Sequence, residues 1–245
     1  MENLKFELII AYYKRPFIVR NALESIKGLQ YDNWHLTFID DSGNDDFKDT
    51  FLNYGFDKDK ITYVPILMTD DDKIKNGGSM FGKYINDAIL YSDCDIVMLI
   101  CDDDALLPDY LNNLNHFYLA NPNEKWGYCH VKPFNPNNEN YIAAETRNIF
   151  FDPSLCNINL NQYTTPINPF AKIDSSQVTF RKLAMVNGNV WYNYPQTNCL
   201  DADIFQKMYA KYGECKFIGC YGQYKGWFED QLGVRLRSGK GDYIN

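Results

Sequence analysis

Three consecutive carboxylates, Asp102, Asp103 and Asp104, stand directly behind an apolar run, IVMLIC at 96–101, and directly before ALLP, which ends in Pro108. Adjacent acids repel one another, so a buried set of them needs a cation close by. Oxygen donors suit a hard divalent ion such as Mg²⁺ or Mn²⁺, often shared with a diphosphate. The plain alternative is a solvated acidic loop. The flanks argue against it: the apolar run suits a strand buried on both faces, and Pro108 suits the first turn of a helix. Ligands of open α/β sheets bind beyond such strand ends. Asp40 and Asp41 close a second apolar run, HLTFI. A carboxylate there can accept from a ligand N–H, or simply make a turn with Ser42. Asp201 opens the stretch DADIFQKMYAKYG, where a carboxylate can serve as a general base or cap a helix.

The elements that must position these acids alternate. Residues 4–11 read as a first strand, and Pro16 opens a helix with Val19, Ala22, Leu23 and Ile26 at the helical period. Residues 35–39 read as a second strand, followed by a short helix to Tyr54, and 61–66 as a third. The segment 69–75, TDDDKIK, reads as a charged loop. A helix with Phe81, Tyr84, Ile85, Ala88 and Ile89 on one face follows, then the strand at 95–101, then a helix from Pro108 with Leu111, Leu114 and Tyr118 inward. Strand–helix alternation implies a mostly parallel, doubly wound sheet. Beyond Asn121 the pattern changes: strands are expected at 126–131, 177–180 and 215–220, a turn-rich loop at 132–140, and a helix at 201–212 with Phe205, Met208, Tyr209 and Tyr212 on one side. Residues 148–169 have no clear periodicity.

Composition narrows the classes. The 245-residue chain has a net charge of −8 and no Lys/Arg-rich run, so charge gives no support for nucleic-acid binding. No apolar stretch approaches the roughly 20 residues of a membrane span. MENLKFELIIAYY lacks the layout of a signal peptide. Seven cysteines (94, 101, 129, 156, 199, 215, 220) without C-x-x-C spacing read as reduced, buried thiols of a cytoplasmic protein. Three scattered histidines (35, 116, 130) argue against a histidine zinc site or a His-dependent triad.

In chain order, AYYKRP (11–16), FIDDSG (38–43), NGGSMFGKYINDAI (76–89), DDDALLP (102–108) and LDADIFQKMYAKYG (200–213) resemble the motif series of family-2 inverting glycosyltransferases of GT-A fold. Each motif is weak alone; five in order, each at a strand end or helix start, are fairly specific and span nearly the whole chain. The resemblance implies an α/β GT-A (nucleotide-diphospho-sugar transferase) fold in one domain. Residues 1–120 would form the nucleotide-sugar half and 121–245 the acceptor half.

The resemblance also implies roles. Ala11 and Tyr13 would line the nucleotide, Tyr13 by stacking on the base, with Tyr12 as the alternative register. Asp41, with neighbour Asp40, would accept from uracil N3–H. Asn76 and Gly78 would belong to a loop whose glycines let backbone approach the ligand. The D-x-D metal site would be Asp102 and Asp104, or Asp103 and Asp104 with Cys101 standing where relatives have the first acid. Mn²⁺ or Mg²⁺ there would offset the charge of the departing UDP. Asp201 would be the general base, with Asp203 in reserve. Asp174–Gln177 (DSSQ) would line the acceptor side, and WFEDQL at 227–232 loosely resembles a late lid.

Two departures stand out: Leu200-Asp201 replaces the Glu-Asp frequent at the base position, and no histidine follows His130. The expected partner is a nucleotide sugar, a UDP-sugar first. The acceptor hydroxyl is left open among a glycan, a lipid-linked saccharide, a protein side chain and a hydroxylated nucleobase in DNA. The rivals are a nucleotidyltransferase, which usually needs a glycine-rich basic loop absent from AYYKRP, and a non-catalytic sugar-nucleotide-binding protein.

Overall fold

The computed structural model describes residues 3–133, 163–170, 172–195 and 200–225. Among these, one sheet of eight strands runs through the molecule: β1 (Phe6–Tyr12), β2 (Trp34–Asp40), β3 (Ile61–Pro65), β4 (Ile96–Cys101), β5 (Ala105–Leu106), β6 (Trp126–Pro133), β7 (Val178–Arg181) and β8 (Lys216–Lys225). The order is β3-β2-β1-β4-β7-β6-β8-β5. β1 pairs in parallel with β2 and β4, and β2 with β3. β7 runs antiparallel between β4 and β6, so the expected parallel sheet holds for the first half and becomes mixed in the second. The α/β fold expected from strand–helix alternation is the observed one.

Among the described residues, the sheet is flanked by seven α-helices: α1 (Val19–Lys27), α2 (Lys48–Leu52), α3 (Asp70–Lys75), α4 (Phe81–Tyr91), α5 (Tyr110–Ala120), α6 (Lys182–Gly188) and α7 (Leu200–Tyr212). Side chains alternate across a strand, and β1 divides accordingly. Phe6, Leu8, Ile10 and Tyr12 pack with Val19, Leu23 and Ile26 of α1 and Tyr110, Leu111 and Leu114 of α5. Ile9 joins the opposite layer with Phe81, Ile85 and Ile89 of α4 and Ile204, Phe205 and Met208 of α7. Each such fully buried side chain contributes roughly 1.5–3 kcal/mol.

Several local expectations are corrected. Segment 69–75 is helical, not a loop, because Thr69 caps it: its Oγ1 accepts from the Asp72 N–H at 3.2 Å and Asp72 reaches back to the Thr69 N–H. α5 begins at Tyr110 rather than Pro108, since Ala105–Leu106 first adds a short strand beside β8. β8 continues to Lys225, beyond the expected end at Cys220. Tyr209 lies on the outside of α7, 40% exposed. The readings of 148–162, of the loop beyond Pro133 and of the lid at 227–232 lie outside the described residues.

Candidate active site

The parallel register brings the C-terminal ends of β1, β2 and β4 to one edge. Tyr12 lies opposite Asp40, and Ala11 opposite both Ile39 and Cys101. The loops leaving these strands therefore carry Tyr13, Asp41 and Asp102 to the same side of the sheet. Ala11 itself is part-buried in the strand, packed against the α4 layer.

The three consecutive acids are buried: Asp102 is 1% exposed, Asp103 3% and Asp104 0%. Each has a cationic partner. Arg15, from the turn after β1, bridges two of them: Nε donates to Asp102 Oδ2 at 3.2 Å, Nη2 donates to Asp102 Oδ1, and Nη1 donates to Asp103 Oδ2 at 2.9 Å. Lys225, the last described residue of β8, donates from Nζ to Asp104 Oδ2 at 2.9 Å and stands 3.3 Å from Asp174 Oδ2. Burial pushes the Asp102 and Asp104 carboxyls upward, and repulsion by Asp103 adds to it, while Arg15 and Lys225 oppose. Burial also acts to raise Asp174, but Lys225 and bonds from Ser176 outweigh it and hold the carboxyl below its usual range.

Strand pairing explains how a residue so distant in sequence reaches the acids. Ala105 and Leu106 pair with Tyr224 and Gln223, and the Leu107 N–H donates to the Gly222 carbonyl at 2.9 Å. A Cβ on Gly222 would meet the Tyr110 ring at 2.6 Å, so only glycine lets β8 lie this close to α5. Behind Lys225, Gln223 Nε2 donates to Ser176 Oγ (2.6 Å), and Ser176 donates to Asp174 Oδ1 (2.7 Å).

Asp201 lies in the first turn of α7, where its Oδ1 accepts from the Ala202 N–H at 2.9 Å. Burial raises its pKa and the negative charge of Asp174 raises it further, while Lys225 acts the other way. Asp201 thus lies within reach of the charges of Asp174 and Lys225. Asp203 instead pairs with Lys207 one turn along the helix, at 2.6 Å.

On the other flank, Tyr12 and Tyr13 separate cleanly. Tyr12 is core, stacked on Phe47 at 4.8 Å. Tyr13 is 43% exposed, and its hydroxyl donates to Asp70 Oδ1 at 2.9 Å. Asp40 is fully buried, accepting from the Tyr63 hydroxyl (2.6 Å) and the Ser42 N–H (3.0 Å), which makes it a positioning group. Asp41 accepts from Ser79 Oγ at 2.7 Å and faces Lys73 Nζ at 3.1 Å. Burial raises the Asp41 pKa, with Lys73 and Ser79 opposing. Asn76 caps α3 through the Asp72 carbonyl (2.7 Å), and the following glycines take φ of +78° and +136°, conformations in which a side chain would be strained.

Sequence reasoning missed Lys225, Lys73 and the bridging role of Arg15. Arg15 sits inside a motif it had singled out, but nothing in the local pattern marks Lys225 or Lys73. Cys101, Asp104 and Asp174 present ligand atoms all within 4.8 Å of one another, a group that could hold a metal ion. The two carboxylates suit a hard divalent ion. The Cys101 thiol suits it less, since burial holds it protonated. The ammonium of Lys225 already bridges those carboxylates, so an ion bound there would meet its positive charge. No helix among the described residues is long and apolar enough to cross a membrane.

No family model matches the chain. Two curated proteins are similar over about half of it. Protein CgeD of Bacillus subtilis is 24% identical over 128 residues, 52% of this chain and 29% of CgeD. The GalNAc(5)-diNAcBac-PP-undecaprenol β-1,3-glucosyltransferase of Campylobacter jejuni is 27% identical over 127 residues, 52% of this chain and 37% of that enzyme. The matched stretch thus spans about a third of these relatives. Among solved structures, S. aureus TarS 1-349 superposes with a TM-score of 0.65 at 15% identity, over 97% of this chain and 65% of that one. The mannosyltransferase PcManGT of Pyrobaculum calidifontis, in complex with GDP-Man and Mn²⁺, gives 0.63 at 12% identity, over 97% and 61%. TarS 1-349 has also been solved with UDP-GlcNAc, and that complex scores 0.62 at 13% identity, over 94% and 60%.

Proposed function

We propose that this chain, which has the GT-A fold of these glycosyltransferases, transfers a sugar from a nucleotide-diphosphate donor, a UDP-sugar first, to an acceptor hydroxyl with inversion. The observation that carries the reading is the buried acid set at the C-terminal end of β4, tied by Lys225 to Asp174. Asp102–Asp104 leave β4, Lys225 joins Asp104 to Asp174, and Asp201 opens α7 within reach of their charges. The order of motifs and the complexes formed by the structural neighbours support it.

Each residue then has a task. Tyr13 offers an exposed ring to the base, and Asp41 an acceptor to uracil N3–H. Asn76–Gly78 shape the loop beside them. Residues 1–120 supply this nucleotide half, and 121–245 the acceptor half. Asp201 takes the proton of the attacking hydroxyl, whose oxygen displaces the diphosphate in line at the anomeric carbon. Its raised pKa suits that task, because a base that holds a proton more tightly removes one more effectively. Arg15 holds Asp102 and Asp103 in register. Asp104 and Asp174, with Asp103 and Cys101 adjoining, would hold Mn²⁺ or Mg²⁺, which when bound supplies positive charge against the departing diphosphate.

The test is UDP-sugar hydrolysis assayed without acceptor, alongside calorimetric titration of UDP. Metal-assisted binding with slow hydrolysis that Asp201→Asn abolishes is the expected result. Binding of no nucleotide (UDP, GDP, CMP or dTDP) would overturn the reading. Nucleotide binding with no turnover, and no effect of Asp201→Asn, would favour a non-catalytic sugar-nucleotide-binding protein.

A further inference from the structure

Among the described residues, the carboxylates of Asp102, Asp103, Asp104 and Asp174 face the cations of Arg15 and Lys225. A diphosphate brought to this edge alone meets buried carboxylates of its own sign, and a cation arriving with it offsets that repulsion. An ion brought alone meets a different obstacle. The two carboxylates that would bind it already hold the Lys225 ammonium, at 2.9 and 3.3 Å, and Lys225 is 4% exposed. Two cations cannot share those oxygens without strong repulsion. Displacing Lys225 alone would leave a buried ammonium without a counter-charge. A diphosphate arriving with the ion removes both obstacles, because its oxygens accept the ammonium that the ion displaces.

We propose that Lys225 is a place-holder cation: it occupies the ion's position until ion and nucleotide enter together, and then passes to the diphosphate. The diphosphate as ligand rests on the glycosyltransferase reading; the exclusion of a lone ion by Lys225 does not. Binding of Mn²⁺ and of a nucleoside diphosphate is then strongly coupled, and reciprocally so, each tightening the other by the same factor.

The experiment is a binding cycle on the full chain. Mn²⁺ is titrated by electron paramagnetic resonance, and UDP by calorimetry, each with and without the other, for wild type, Lys225→Ala and Lys225→Arg. Wild type is expected to bind Mn²⁺ alone weakly and to bind it at least about tenfold more tightly with UDP, within the usual range of site coupling. Lys225→Ala should bind Mn²⁺ alone at least about tenfold more tightly than wild type, with a smaller coupling factor. Lys225→Arg should behave as wild type, since it keeps the cation. If Lys225→Ala does not fold without metal, recovery of its folding by Mn²⁺ alone, with no such effect on wild type, supports the same conclusion. Equal Mn²⁺ affinity in wild type and Lys225→Ala overturns the place-holder role, whatever UDP does. Mn²⁺ binding released by Lys225→Ala with no nucleotide binding in any variant overturns the transferase reading and the hand-over to diphosphate, while the exclusion of the lone ion stands.

Discussion

Lys73 Nζ stands 3.1 Å from Asp41 Oδ1 and donates to the Asp41 backbone carbonyl at 2.6 Å. One lysine of α3 thus pins the residue after β2 by side chain and main chain together. The same ammonium lies 4.7 Å from the centre of the Tyr13 ring, which ties the two residues assigned to the base into one unit.

Asp41→Asn should weaken UDP binding about tenfold or more, the worth of one hydrogen bond to a charged group. The amide also presents an N–H where the uracil N3–H needs an acceptor. Competition calorimetry with UDP and CMP measures it, and unchanged UDP affinity would remove Asp41 from base recognition.

Arg15→Met should destabilise the fold by about 3–5 kcal/mol, because it removes the guanidinium that pairs with the buried Asp102 carboxylate. Arg15→Lys should recover part of the loss, since an ammonium cannot bridge two carboxylates as a planar fork does. Urea unfolding followed by circular dichroism reads both, and a loss under about 1 kcal/mol for Arg15→Met would mean the pair is effectively solvated.

Asp201→Asn should leave UDP affinity within about twofold and lower transfer by about 10²–10⁴, the usual contribution of a general base. Turnover close to wild type would remove the base assignment.

The acid limb of the wild-type rate profile should lie above the ordinary carboxylate range. Burial and Asp174 raise the Asp201 pKa, so the rate should climb as pH rises through that raised value and the carboxylate forms. The stability sign is opposite. The folded state holds this proton more tightly than the unfolded chain, so the contribution is present below the unfolded pKa and fades as pH rises through the folded one. Initial rates and thermal unfolding from pH 4 to pH 8 separate the two effects.

Much of the first half was legible because local signals agreed there. The runs behind Asp41 and Asp102 are strands in which nearly every side chain is buried, and the stripe on α1 faces the core as its spacing requires. Segment 69–75 was misread because three aspartates and two lysines look like solvated loop. Thr69, the capping group that makes them the two ends of a helix, is a single residue easily passed over. Pro108 was misplaced as the helix start because the strand before it forms only by pairing with β8, more than a hundred residues away.

What the sequence determined by itself is the chemistry at the strand ends. Apolar runs must be buried, the acids that end them must then face a partner or a ligand, and the order of these runs sets a GT-A-like chain. What only the tertiary structure decided is which cation meets which acid. Arg15 could have pointed to solvent and Lys225 lies in a stretch without periodicity; each is fixed by strand order, by the register of β5 on β8 and by the close approach that Gly222 permits. Local propensity encodes elements, because neighbouring residues share one backbone geometry. Pairing between charges far apart in sequence depends on packing, which no local pattern records.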